Sequence, residues 1–79
     1  MQVYRKSDRT QFQAEPFSVK SDKVKSLVER RKNKYFVLSN GISLRVFPED
    51  WILTDAKGVR TVVTQIGFTK YYAPINGEA

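Results

Sequence analysis

Val37-Leu38-Ser39-Asn40-Gly41-Ile42-Ser43-Leu44 decides the fold class. Two alternating runs flank Asn-Gly, the dipeptide that accepts positive φ at both central positions of a type I′ hairpin turn. A two-residue loop pairs Ser39 with Ile42, and the register then follows outward: Val37 opposite Leu44, Tyr35 opposite Val46. One face of the hairpin is therefore Tyr35, Val37, Ile42, Leu44 and Val46, which reads as core. The other face carries Phe36, Leu38, Ser43, Arg45 and Phe47, a mixed set suited to a helix, a partner or water.

Downstream, Pro48-Glu49-Asp50 makes a corner before a short strand at residues 51–54, and Asp55-Ala56-Lys57-Gly58 closes a second hairpin. Residues 59–66 are rich in β-branched side chains and read as a long final strand, interrupted by Gly67. An aromatic cluster, Phe68 with Tyr71 and Tyr72, follows, and residues 73–79 read as a frayed tail.

Upstream, residues 2–5 form a short strand that meets the polar turn Lys6-Ser7-Asp8-Arg9. Residues 10–15 alternate so that Phe12 and Ala14 share a face, and Pro16 limits that strand to an edge or a bend. Between these strands and the hairpin the period changes. Val24, Leu27 and Val28 lie at i, i+3 and i+4, which predicts one amphipathic helix over residues 21–32, capped by Ser21 or Asp22. Arg30-Arg31-Lys32 then falls at the negative pole of that helix. The expected architecture is α+β. The single helix packs on a mainly antiparallel, strongly twisted sheet of four to six short strands, with a partly closed small barrel as the variant.

The chain of 79 residues, with no Cys and no His, is a single small domain spanning 1–79 with no disulfide framework and no ordinary zinc or haem site. A core of this size contributes only ~3–5 kcal/mol, so ten aromatic residues must do much of the packing, with self-association as the other source of stability. Catalytic chemistry is thin. The commonest general base and the thiol nucleophiles are missing, Glu49-Asp50 reads as a corner, and the four glycines stand singly rather than in a phosphate loop. No enzyme activity, cofactor or metal is expected. The start, Met-Gln-Val-Tyr-Arg-Lys, lacks an apolar signal core and no run is long enough to span a membrane, which predicts a cytoplasmic protein with no membrane partner.

Charge is the remaining signal. Residues 1–34 hold ten bases and four acids, whereas residues 35–79 hold four of each, so the whole formal +6 lies in the first half. A one-sided positive field attracts polyanions. Bases interleaved with aromatics are the pattern that holds single-stranded nucleic acid; here Arg5, Lys6, Arg30, Arg31, Lys32 and Lys34 would contact phosphates, and Tyr35 or Phe36 would stack on a base. Arg45 and Lys70 with Tyr4, Phe47, Tyr71 and Tyr72 belong to the wider constellation.

Read in order, Tyr4-Arg5-Lys6, Ala14 with Phe17, Asn40-Gly41, Asp50-Trp51-Ile52, Gly58, and Phe68 with Tyr72 resemble a loose family of small bacteriophage and prophage proteins of unassigned function. Glu49 stands where that family has Gly before the Asp, and Val59 where it has an acid. The resemblance implies a phage source and a host bacterial cytoplasm, and it brings no activity. Physically, Asp50 is expected to accept backbone N–H groups in its corner, Trp51 to anchor the sheet, and Phe68 and Tyr72 to pin the C-terminal segment. The leading expectation is a non-enzymatic phage accessory protein that binds a host macromolecule, a host protein or a nucleic acid. The alternative is a nucleic-acid-binding module that uses the basic N-terminal half.

Overall fold

The structure, a computed structural model, describes residues 1–18 and 26–75. Among these, eight strands and one helix occur in the order β1 (Gln2–Arg5), β2 (Gln11–Pro16), β3 (Glu29–Arg31), β4 (Lys34–Ser39), β5 (Ile42–Val46), β6 (Trp51–Thr54), β7 (Arg60–Val63), α1 (Gln65–Tyr71) and β8 (Tyr72–Pro74). They build two antiparallel sheets, one of five strands ordered β7-β6-β2-β1-β8 and one of three ordered β3-β4-β5. The class is α+β, mostly antiparallel sheet with one helix among the described residues. The sheets are separate and not closed into a barrel, in place of the single sheet of four to six strands expected.

Strand β6 explains the layering. Ile52 and Leu53 point to opposite faces of the larger sheet, and each is fully buried. Ile52 joins Phe17, Val37 and Val46 beneath the smaller sheet, with Leu27, Val28, Tyr35 and Val62 packed around them. Leu53 joins Val3, Phe12 and Ala14 on the other face, closed by Trp51, Val63, Phe68 and Tyr72. The larger sheet therefore separates two small cores, one covered by β3–β5 and one by α1. The alternation of Phe12 and Ala14 in β2 feeds the second core, as their spacing requires.

The β4–β5 register matches the Asn-Gly reading: Ser39 pairs with Ile42, Val37 with Leu44 and Tyr35 with Val46. Asn40 and Gly41 take φ of 49° and 80°, the two positive values a type I′ turn needs. Of the face expected to be core, Val37 and Val46 are buried, but Ile42, next to the turn, is 62% exposed.

Three sequence expectations are corrected. Residues 26–32, the described part of the expected helix, are not helical: Ser26 and Leu27 form a turn and Glu29–Arg31 is strand β3; Ser21, Asp22 and Val24 lie outside the described residues. Pairing decides this, because Glu29, Arg30 and Arg31 find partners in Phe36, Tyr35 and Lys34, and Lys32 turns the chain with φ of 57°. Leu27 and Val28 still bury against the core. Three apolar positions are too few to separate a helical stripe from a turn followed by a strand.

The long final strand ends at Val63, and α1 begins at Gln65. Thr64 caps it: its Oγ1 accepts from the Gly67 N–H at 3.1 Å, and its carbonyl accepts from the Phe68 N–H at 2.8 Å. The Phe68–Tyr72 spacing is itself i,i+4 and brings both rings to one side. Finally, Ala73 and Pro74 of the expected tail pair with Tyr4 and Val3 of β1; residues 76–79 lie outside the described residues. Among the described residues no helix is long and apolar enough to cross a membrane.

Candidate nucleic-acid interface

In the smaller sheet β4 runs between β3 and β5, so cross-strand neighbours fall into rows. Glu29, Phe36 and Arg45 form one row, Arg31 with Lys34 another, and Leu38 with Ser43 a third. These side chains share the face turned away from the core, since Tyr35, Val37 and Val46 occupy the other. Strand alternation alone gathers the bases with the rings.

The contacts on this face form a ladder. The Arg31 guanidinium lies 5.0 Å from the centre of the Phe36 ring. It reaches across β4 to donate to Ser43 Oγ at 3.0 Å, and it donates to Glu29 Oε1 and Oε2 at 3.1 and 3.2 Å. That two-point hydrogen bond holds the Glu29 carboxyl below its usual range and raises Arg31 above its own, which favours the charged form of each. Arg45 approaches the Phe36 ring at 6.0 Å and the Phe47 ring at 4.5 Å. Each such exposed cation–ring contact is worth only ~0.5–1 kcal/mol. Among the described residues Arg45 makes no hydrogen bond or ion pair, so its five N–H donors are free for a ligand. Phe47 is 52% exposed and Leu38 58%.

Charge agrees with the geometry. Residues 29–47 contain five bases and one acid, a net of +4, and the acid is already engaged by Arg31.

The candidate set read from the sequence is divided by this arrangement. Arg31, Lys34 and Phe36 lie together on the outer face. Arg30 alternates to the other side and braces the turn, donating to the Lys32 carbonyl at 2.9 Å and to Asn33 Oδ1 at 3.4 Å, while exposed Lys32 sits in that turn. Tyr35 faces inward, its ring 5.2 Å from Phe17, and cannot also stack on a base. Arg5 and Lys6 belong to the other sheet: Arg5 is held by Asp8 at 2.7 Å and lies over Phe12 at 5.3 Å, and the Lys6 N–H donates to the Tyr71 carbonyl. The Arg5–Asp8 pair pushes the Asp8 carboxyl far below the usual range and raises Arg5. Arg45 and Phe47 were absent from the phosphate and stacking set, although the alternation Ser43, Arg45, Phe47 already placed them beside Phe36.

The remaining motif residues sit behind this face. The Phe47 N–H donates to Asp50 Oδ2 at 3.0 Å, and the Asp50 N–H donates to the Phe47 carbonyl at 3.0 Å. Pro48 and Glu49 fill the centre of that turn, with Glu49 at φ of 77°, the positive value of a type II turn that favours Gly. Trp51 stacks on Phe68 at 4.0 Å and 9°, donates from Nε1 to Gln65 Oε1 at 2.6 Å, and Phe68 in turn stacks on Tyr72 at 5.8 Å.

A cleft of about 350 Å³ opens beside the ladder, between Leu44, Arg45, Phe47 and Asp50 on one side and Val62, Val63 and Thr64 on the other. It is continuous with the basic face because Arg45 and Phe47 belong to both. No protein-family model, no curated protein and no solved structure matches this chain.

Proposed function

We propose that this chain is a non-enzymatic binding protein whose ligand is single-stranded nucleic acid, held on the outer face of β3–β5. The observation that carries the reading is the ladder Arg31, Phe36, Arg45, Phe47 on an exposed face of net positive charge. Single strands are bound by a groove or face that tracks phosphates beside rings on which bases stack, at ~1–3 kcal/mol per base. Phe47, the more exposed ring, is the stacking platform; Phe36 lies between two guanidiniums and serves to position them. Arg45 and Lys34 take the phosphates, and Arg31, already tied to Glu29 and Ser43, anchors the array.

The phage or prophage source rests on motif order alone and belongs to the same proposal. It would place the ligand, viral or host, in a bacterial cytoplasm.

The test is the salt dependence of oligo-dT binding. Each phosphate contact on a single strand steepens the log–log slope by about 0.7. Replacing Lys34 and Arg45, the two phosphate contacts, by Gln should therefore flatten it by about 1.4 units, with weaker binding to a duplex of equal length throughout. A folded protein that binds no oligonucleotide at ~50 mM salt would instead return the face to a host protein, since Arg and aromatic rings are also common anchors of protein interfaces.

A further inference from the structure

The cleft beside the ladder has a composition that the ladder does not explain. Its volume of about 350 Å³ falls in the ~300–1,000 Å³ range of small-ligand sites, and most of its wall is apolar, from Leu44, Val62, Val63 and the Phe47 ring. Two charged side chains of opposite sign line it, Arg45 and Asp50. They do not neutralise each other: among the described residues Arg45 makes only ring contacts, and Asp50 uses Oδ2 for the Phe47 N–H while Oδ1 has no partner. A half-exposed carboxylate with a spare oxygen is a poor neighbour for a phosphate chain, yet it stands next to the ring on which a base would stack. An acceptor and a donor fork are thus both offered to whatever enters.

We propose that the cleft accepts one base of the bound strand and prefers guanine. This rests on the single-strand reading above and names what that site selects. Guanine presents acceptors at O6 and N7 and a donor at the exocyclic N2; on its Watson–Crick edge N1–H and N2–H₂ lie side by side and suit a carboxylate. An arginine fork on O6 and N7 is the commonest specific contact to a base. Asp50 takes the donor edge and Phe47 one face, while Arg45, a phosphate contact where the base is thymine, turns its fork to the acceptor edge of guanine. Adenine and cytosine each offer an exocyclic amine to Asp50 but lack the O6 and N7 pair for Arg45, and thymine offers no exocyclic donor at all. The expected order is guanine first, adenine and cytosine next, thymine last. Backbone placement supports the assignment, because the turn that seats Asp50 is closed by the same Phe47 backbone groups that aim its ring.

The experiment uses the full chain and four oligo-dT strands that differ at one central base, compared by fluorescence anisotropy at one salt concentration. The guanine strand should bind ~5- to 150-fold more tightly than the all-thymine strand, the span a good bidentate pair gives. Asp50→Asn keeps a side-chain oxygen for the Phe47 N–H and should bring the guanine-to-thymine ratio toward one; Arg45→Lys, which keeps the charge but loses the fork, should lower the ratio as well. Equal binding of all four strands by the unaltered protein overturns the base assignment and leaves the single-strand reading standing. Failure of all four to bind overturns both. The series on the unaltered protein decides the matter even if either variant fails to fold.

Discussion

The two sides of β4 do different work from adjacent residues. Tyr35 and Val37 face inward, where Val37 is fully buried against Ile52, Val46 and Phe17. Phe36 and Leu38 face outward, where two guanidiniums flank Phe36 and Leu38 meets solvent. A packed side chain is held by area removed from water, at about 25 cal/mol per Å². The outer ladder is held by weak exposed contacts that add little to stability and keep their donors available. The inner side should therefore govern folding and the outer side binding, with little crossover between them.

The largest expected effect breaks the inner side. Ile52→Ala opens a cavity between the sheets and should cost ~2–5 kcal/mol, comparable to the whole stability of a domain this size. Urea denaturation should show a largely unfolded population even in buffer. Retention of more than half the stability would mean that the smaller sheet is not packed on Ile52.

On the outer side, Arg45→Gln should weaken oligo-dT binding by about tenfold or more, since a hydrogen bond to a charged group contributes ~1.5–3 kcal/mol. Its denaturation midpoint should stay within the ~0.5 kcal/mol typical of surface changes. A matching fall in stability and binding would erase the contrast between the two sides.

The turn that joins them can be sharpened. Glu49 holds a φ of 77°, which costs a non-glycine residue ~1–2 kcal/mol. Glu49→Gly relieves that strain but adds freedom to the unfolded chain, so the net gain should be up to about 1 kcal/mol, or a rise of a few degrees in Tm. A lowered Tm would show that the Glu49 side chain contributes something the turn geometry does not.

The smallest effect concerns acid. Asp8 has its folded-state pKa well below the ordinary value because Arg5 and the Thr10 N–H bond it. A depressed carboxylate contributes stability that is present above its unfolded pKa of ~3.9 and is lost as pH falls through the lower, folded value. Midpoints of the unaltered protein and Asp8→Asn should therefore differ at neutral pH and converge only below about pH 4. Convergence already at pH 6 would contradict that assignment. Screening of so exposed a pair keeps the difference small.

How much of this was legible in the sequence differs by segment. Asn40-Gly41 fixed one register locally, and the face that each side chain of β4 and β5 takes followed from it, although Ile42 on the inner face is exposed. Leu27 and Val28 gave their burial but not their backbone, because β3 exists only through pairing with β4, a partner that periodicity within residues 21–32 does not contain. Helix α1 was hidden by the β-branched run before it and by Gly67, yet Thr64 as a cap and the i,i+4 pair Phe68 and Tyr72 were its signals. The candidate face was half legible. The charge map singled out residues 30–34 but divided the chain at residue 34, and so separated Arg45 and Phe47 from the bases they join in space.

Binding on the outer face of β3–β5 can be read residue by residue. Titrating the isotope-labelled protein with oligo-dT and following backbone amide shifts by NMR should move Arg31, Lys34, Phe36, Arg45 and Phe47 first and most. Val3, Leu53 and Phe68, in the core on the far side of the larger sheet, should hold still. Shifts centred instead on Arg5 and Lys6, or no shifts at saturating oligonucleotide, would contradict a single-strand site on this face.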